Sequence, residues 1–316
     1  MHVVLIGVFD GVHRGHQALV QQAIARSEGG PVTIVTFNPH PAAILRPESA
    51  PLLLSGIDRR VKLLHAAGAD HVRVIEFTPE FSALSPEQFV DQLIDSIVAD
   101  VVDEHENPVP VDVIVAGVNF RFGQYAAGNI ELLTQLGKER GFNVQVVELV
   151  TEEVRDEGTV TWSSSFVRER IAAGDLPGAA RALGRPHRVE GTVVHGEKRG
   201  RELGFPTANV ELSLPYAVPP DGVYAGWLLR GTPPHTTVLP AAISVGTNPQ
   251  FNGTARTVEV YCLHDHSLDL YDESVGVEFV ARIRGQAVFD SIDGLVQQMN
   301  DDVERARTIL GAHPRA

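Results

Sequence analysis

Residues 2–16 read His2-Val3-Val4-Leu5-Ile6-Gly7-Val8-Phe9-Asp10-Gly11-Val12-His13-Arg14-Gly15-His16. The aliphatic run at the start lacks polar alternation, which predicts a strand buried on both faces, as in a parallel sheet. It passes straight into a glycine-rich turn and then into a helical pattern. Glycines let backbone amides approach a ligand closely, and a helix beginning there offers free N–H groups and the positive end of its dipole to an anion. His13 and His16 are three apart and share a face of the first turn. Two imidazoles so placed suit hydrogen bonding to phosphate oxygens as charge shifts during phosphoryl transfer. Two solvated histidines on an ordinary turn would be spelled the same way. The spacing is neither the Gly-x-Gly-x-x-Gly of dinucleotide enzymes nor the P-loop.

The same unit recurs downstream. Strands are predicted at 2–6, 32–36, 72–75, 113–115 and 144–149, with helices at 14–26, 58–67, 86–99 and 129–140 between them. The third helix has Ser85 as N-cap, Pro86 at its first position and Gln88 where a capping box requires it. Strand and helix in alternation imply a doubly wound, Rossmann-like α/β domain with its ligand crevice at the carboxyl ends of the strands. After Trp162 come two short helices, at 163–173 and 175–183. Beyond Gly184 the chain turns strand-rich, at 188–195, 207–212, 223–229, 238–245, 257–263 and 275–287, before a last amphipathic helix at 291–310. Six strands without intervening helices predict a small antiparallel barrel or sandwich. The expected domains are therefore 1–184 and 185–316.

Composition agrees with this and narrows the function. Length argues for two domains, and 43% apolar with 21% charged residues is the balance of a globular protein. No run approaches a membrane span, no secretory start is present, and a lone cysteine, Cys262, excludes a disulfide framework or a cysteine zinc site. A cytoplasmic protein is expected. The net charge of −14 argues against nucleic acid, whose phosphates are bound by displacing counterions with Lys and Arg; a small phosphorylated ligand remains open.

Further pieces fall where a phosphate site needs them. Asn38 lies at the end of the second strand, in Thr36-Phe37-Asn38-Pro39-His40-Pro41, and Asn119 after the fourth, in Gly117-Val118-Asn119-Phe120-Arg121-Phe122-Gly123. Ser163-Ser164-Ser165-Phe166-Val167-Arg168 combines capping hydroxyls, free amides and a guanidinium in one helical turn. The first loop resembles the His-x-Gly-His loop of the nucleotidyltransferase superfamily, which binds ATP phosphates for reaction at the α-phosphorus. The acidity of the chain and the want of a Lys-x-Ser-Lys segment set it apart from the aminoacyl-tRNA synthetases that share the loop.

In the second half, residues 191–209 carry glycines, the cations Lys198, Arg199 and Arg201, and Gly204-Phe205-Pro206-Thr207-Ala208-Asn209. Thr207 and Asn209 are two apart on a predicted strand, so their oxygens face one way, and hard oxygens suit Mg²⁺. Glu259, in Thr257-Val258-Glu259-Val260-Tyr261-Cys262, is predicted opposite its valine neighbours. A carboxylate there can take a proton from an attacking alcohol, or simply face solvent.

Taken together, the motifs at 7–16, 36–41, 117–123, 163–168, 200–209, 221–225, 244–251, 257–261 and 269–271 resemble, in order and spacing, the prokaryotic bifunctional riboflavin kinase/FMN adenylyltransferase family, the FAD synthetases. That resemblance implies an N-terminal adenylyltransferase and a C-terminal kinase barrel, with riboflavin, FMN and ATP as ligands, Mg²⁺ as metal and FMN and FAD as products. It assigns Glu259 as kinase base and Thr207 and Asn209 to Mg·ATP, beside Gly204, Phe205 and Pro206. It assigns His13, His16, Gly7, Phe9, Asp10, Gly11, Gly15, Asn38, Asn119, Ser164, Ser165 and Arg168 to the adenylyltransferase site. Cys262 is read as packing. Family members usually carry a segment ahead of the first strand, which here begins at His2, and an Asp-Phe pair where this chain has 262–270. Two other readings share the folds: a flavin-binding or flavin-sensing protein that has lost catalysis, and an adenylyltransferase with a noncatalytic barrel. Candidates to stack the flavin ring are Phe37, Phe120, Phe122 and Trp162 at one site, Phe205 and Phe251 at the other.

Overall fold

The computed structural model describes residues 1–99, 101–148, 151–154, 158–196, 203–232, 235–247, 256–263 and 269–313, with backbone alone at 153, 154 and 247. The chain folds as two compact units, Met1–Pro51 with Ile57–Ser163, and Leu52–Gly56 with Ser164–Ala316.

The first unit runs β1 (Val3–Ile6), α1 (Arg14–Ser27), β2 (Val32–Asn38), α2 (Pro41–Leu45), α3 (Ile57–Ala66), β3 (His71–Glu76), α4 (Pro79–Ser82), α5 (Pro86–Val98), β4 (Val113–Gly117), α6 (Ile130–Arg140) and β5 (Asn143–Val147), then a hairpin of β6 (Thr151–Val154) and β7 (Gly158–Thr161). The five main strands form one parallel sheet in the order β3-β2-β1-β4-β5. All four residues of β1 are buried, because both faces of the sheet are covered. On one face the rings of Phe37, Phe77, Phe81, Phe89 and Phe122 follow one another at 5.2 to 5.8 Å between centroids, within the range in which aromatic edges and faces attract. On the other, Val3, Leu5, Val20 and Leu64 pack with Phe9 and Val12 of the loop after β1. The capping box of α5 forms as expected, Ser85 Oγ accepting from the Gln88 amide at 3.3 Å and Gln88 Oε1 from the Ser85 amide at 2.9 Å. The short helices α2 and α4 and the β6–β7 hairpin were not predicted. The hairpin strands are four residues each and mostly polar, so they carry no apolar period.

The second unit runs α7 (Ser164–Ala172), α8 (Leu176–Leu183), β8 (His187–Val194), β9 (Ala208–Leu212), β10 (Gly222–Arg230), β11 (Thr237–Thr247), β12 (Arg256–Cys262), β13 (Ser274–Gly285) and α9 (Ile292–Ala312). Its six strands close into an antiparallel barrel, β10-β11-β12-β9-β8-β13, so of the two sheet architectures expected it is the barrel. Closure leaves no unpaired edge. Val193, Val210, Tyr224, Ile243, Val258, Val260, Val277 and Phe279 fill the interior. Helix α9 covers an outer face through Val303, Ala306 and Leu310, packed with Phe205, Tyr261 and Leu263, and Arg284 of β13 clasps the buried Asp302 with contacts of 2.7 to 3.0 Å. The segment Leu52–Gly56 joins this unit through its backbone: Leu53 donates to Pro215 O and accepts from the Ala217 amide, both at 2.9 Å. Contacts thus divide the chain just before α7, whereas the sequence suggested a division after α8. Among the described residues no helix is long and apolar enough to cross a membrane.

Candidate active sites

Strand order creates the first site. From β1 the sheet grows toward β2 on one side and β4 on the other, and at such a switch point the loops leaving the carboxyl ends diverge to open a crevice. The loop from β1 carries Gly7, Phe9, Asp10, Gly11, His13, Gly15 and His16; Asn38 ends β2, and Asn119 follows β4 by two residues. Three separately predicted pieces, the β1 loop, Asn38 and Asn119, thus share one edge of one sheet, and Asn38 and Asn119 are exposed there.

The β1 loop is anchored rather than free. Phe9 and Val12 are 4% and 1% exposed, and the Val12 amide donates back to Phe9 O at 3.1 Å. Phe9, Gly11 and Val12 adopt φ of 52°, 80° and 42°, a region that costs energy for any residue but glycine and most for a β-branched one. His13 is the N-cap of α1: its Nδ1 accepts from the His16 amide at 3.4 Å. An accepting Nδ1 leaves the proton of the neutral ring on Nε2, so His13 offers a donor there. The His13 and His16 rings stack at 3.6 Å between centroids, and Phe9 meets His16 edge-on at 5.0 Å. Gly15 is needed for this turn, since a Cβ would lie 2.8 Å from Trp162 O. The arrangement gathers an imidazole pair and the opening amides of a helix at one sheet edge, groups suited to donating hydrogen bonds to an anion.

Sequence reasoning missed Arg60 of α3. It is 2% exposed, 3.7 Å from Asp10 Oδ1, and donates to Thr36 Oγ1 and Phe37 O at 3.3 and 3.1 Å. Of the suggested flavin-stacking rings, Phe37, Phe122 and Trp162 are 5%, 4% and 3% exposed and belong to packing; Trp162 Nε1 donates to Glu152 at 2.8 Å. Phe120 is partly exposed and stacks on Phe122 at 5.5 Å. Ser164, Ser165 and Arg168 open α7 in the second unit, where Arg168 Nε donates to Leu52 O at 2.7 Å.

The second site lies on the barrel. Val258 and Val260 of β12 point into the core at 0% and 1% exposure, while Glu259 between them is half-buried on the other face. Register places Glu259 directly opposite Asn209 of β9 and opposite Ser244 of β11. Directly paired residues hold their side chains on one face within about 5.5 Å, so a carboxylate, an amide and a hydroxyl stand side by side. Ser244 was not singled out from the sequence, because only the register shows it beside Glu259. Strand β9 starts at Ala208, one residue later than expected: Pro206 has no N–H for the ladder, and pairing begins with Ala208 against Val260. Thr207 immediately precedes it. Gly196 gives Asn209 its room, for a Cβ on Gly196 would collide with the Asn209 amide. Gly204 has φ 85°, a conformation that favours glycine. Phe205 is buried at 7% against Tyr261, 5.3 Å between rings, and Cys262 is buried in the barrel core. Lys198, Arg199, Arg201 and Phe251 lie outside the described residues.

Comparison with known proteins gives both halves a family. Residues 1–160 match the family model for FAD synthetase and residues 183–310 that for riboflavin kinase. The bifunctional riboflavin kinase/FMN adenylyltransferase of Escherichia coli (strain K12) is 35% identical over 312 residues, covering 98% of this chain and 93% of the relative. The enzyme of the same name from Bacillus subtilis (strain 168) is 32% identical over 311 residues, covering 96% and 91%. A crystal structure from Streptococcus pneumoniae, named a macrolide-efflux protein, shares the fold with a TM-score of 0.78 at 32% identity, covering 97% of this chain and 93% of that one. With both models matched in order and identity sustained along nearly the whole length, the chain belongs to the bifunctional riboflavin kinase/FMN adenylyltransferase family.

Proposed function

We propose that the two reactions of this family run on separate ATP sites of the chain, FMN adenylylation at the carboxyl edge of the β1–β4 sheet and riboflavin phosphorylation on the outer face of β9 and β12. The overall activity is the synthesis of flavin cofactors: riboflavin and ATP give FMN and ADP, then FMN and ATP give FAD and pyrophosphate. The proposal puts the enzyme in the cytoplasm, where both substrates of each step are at hand.

The observation that supports the kinase site most directly is the pairing of Glu259 with Asn209. Riboflavin's primary alcohol is a poor nucleophile while protonated. Glu259 takes that proton as the oxygen attacks the γ-phosphorus and the bond to the β-phosphate oxygen breaks. Asn209 and Thr207 would supply an amide carbonyl and a hydroxyl, the hard oxygens that Mg²⁺ accepts alongside phosphate and water, and the absence of a side chain at Gly196 leaves room for the Asn209 amide. Bound there, Mg²⁺ neutralises charge on the ATP phosphates.

The adenylyltransferase needs no base, because the attacking FMN phosphate is already anionic. Its oxygen attacks the α-phosphorus and pyrophosphate leaves. The demand is for alignment and for donors toward the oxygens that gain charge, which His13 Nε2, His16 and the opening amides of α1 meet. Asn38 and Asn119 are assigned to ATP and FMN at this site.

Chromatography of products from riboflavin, ATP and Mg²⁺ tests both sites. Glu259→Gln is expected to stop FMN formation while added FMN is still converted to FAD; His13→Ala with His16→Ala is expected to do the reverse, letting FMN accumulate. Loss of both activities in a folded variant of either kind overturns the division into two sites.

A further inference from the structure

Nothing in the sequence motifs points to Arg60, which stands in a charged helical stretch, Asp58-Arg59-Arg60. Yet Arg60 and Asp10 are both 2% exposed, in the interior of the first unit. A buried carboxylate without a counter-charge is strongly unfavourable, so Arg60, 3.7 Å away, helps to hold Asp10 in its place in the β1 loop. The same guanidinium donates to Thr36 Oγ1 and Phe37 O near the end of β2, and Thr36 Oγ1 in turn donates to Val8 O at 2.8 Å. One planar fork therefore joins the loop leaving β1 to the exit of β2, the two segments that carry His13 and Asn38. Between Asp10 and His13 the backbone passes through the positive φ of Gly11 and Val12. Such a course persists only when its surroundings fix it; burial fixes Phe9 and Val12, and Arg60 fixes Asp10.

We infer that Arg60 is a positioning residue for adenylyl transfer: through Asp10 it sets the course of residues 10–13, and with it where His13 and the first amides of α1 meet ATP. The inference rests on the reading of the β1 loop as the adenylyltransferase site.

Arg60→Lys tests it. An ammonium keeps the charge but not the planar fork that donates to Thr36 Oγ1 and Phe37 O while facing Asp10. The expected result is a kcat for FMN adenylylation lowered by up to about 10²-fold, as small misplacements near a reacting centre produce, with KM for ATP moving much less. Riboflavin phosphorylation by the same molecules stays at the wild-type rate. A purely structural role would lower the melting temperature and leave the kcat of folded molecules alone. Trp162, buried in the first unit, reports that folding by its emission in a Trp227→Phe background. A wild-type kcat in folded Arg60→Lys overturns the inference. Where Arg60→Lys does not fold, Asp10→Asn decides, since it keeps an acceptor in place but removes the charge that Arg60 holds; a wild-type kcat there overturns it equally. His13→Ala with His16→Ala is measured alongside. If that pair adenylylates normally, the reading of the site fails; if it is inactive while the Arg60 and Asp10 variants are not, only the role given to Arg60 fails.

Discussion

Gly196→Ala adds one methyl group, and it would fall where the Asn209 amide now sits. The expected outcome is a raised KM for Mg·ATP in riboflavin phosphorylation with adenylylation unchanged, read by assaying the two reactions separately. A second residue makes the first unit sensitive to acid. His2 is 1% exposed, its Nε2 2.8 Å from Thr33 Oγ1 and its Nδ1 3.3 Å from Val109 O; since a carbonyl only accepts, Nδ1 is the donor. Burial holds this imidazole below its ordinary 6.5, with His71 adding to the effect and the Val109 and Pro110 carbonyls and Asp112 opposing it. The unfolded chain therefore binds a proton more readily than the folded one. Stability contributed here is whole above about pH 6.5 and is lost as pH falls from there through the folded value. His2→Gln is expected to flatten that part of the melting temperature against pH; an unaltered slope would remove His2 as its source. Residues of this kind divide sharply in how readable they are. His13, His16, Thr207, Asn209 and Glu259 stand out in the sequence as candidates because few side chains suit the proposed chemistry and each lies in a short motif. Arg60 does not, since its partners Thr36 and Phe37 are 24 and 23 positions away and the stretch around it looks like any solvated helix.

Among the elements, α1 is tightly held at its start. Its first turn lies against the backbone at Trp162, and Gly15→Ala would bring a Cβ to 2.8 Å from Trp162 O. A backbone oxygen does not swing aside as a side chain does, so the helix start must move. A destabilisation of about 1–3 kcal/mol, as for other overpacked sites, is expected in denaturant unfolding, together with slower adenylylation and unimpaired phosphorylation. Elements with a strong period or a complete cap were legible: β1 by its unbroken aliphatic run, α5 by Ser85, Pro86 and Gln88. The β6–β7 hairpin was not, because Thr151–Val154 and Gly158–Thr161 are short, polar and supported mainly by each other. Strand β12 shows the intermediate case. Its alternation was plain from the valines flanking Glu259, but its neighbours β9 and β11, which bring Asn209 and Ser244 alongside, are fixed by barrel closure and no local pattern encodes that.

For the molecule as a whole, titration with a non-hydrolysable ATP analogue and Mg²⁺ is expected to fill two sites per chain, and His13→Ala with His16→Ala to weaken one of them; a single equivalent in the wild-type protein would contradict separate sites. The last helix is held by an ion pair as well as by its apolar face. Asp302→Ala would leave Arg284, 18% exposed along its side chain, without its carboxylate, and a loss of about 3 kcal/mol is expected for the second unit, as for other buried pairs broken on one side. Fold class was legible from the alternation of elements, while the order β3-β2-β1-β4-β5 was not, since it depends on which side of β1 each crossover returns. The partition of the chain was also only partly legible: Leu52–Gly56 belongs to the second unit although over a hundred residues of the first follow it. Engineering that cuts the gene after Ser163 would accordingly deprive the downstream product of a strip it borrows from far upstream, stranding the amide of Ala217 and the carbonyl of Pro215 and removing the acceptor of Arg168 Nε. A kinase fragment meant to stand by itself should be supplied with that pentapeptide, as a graft or in trans.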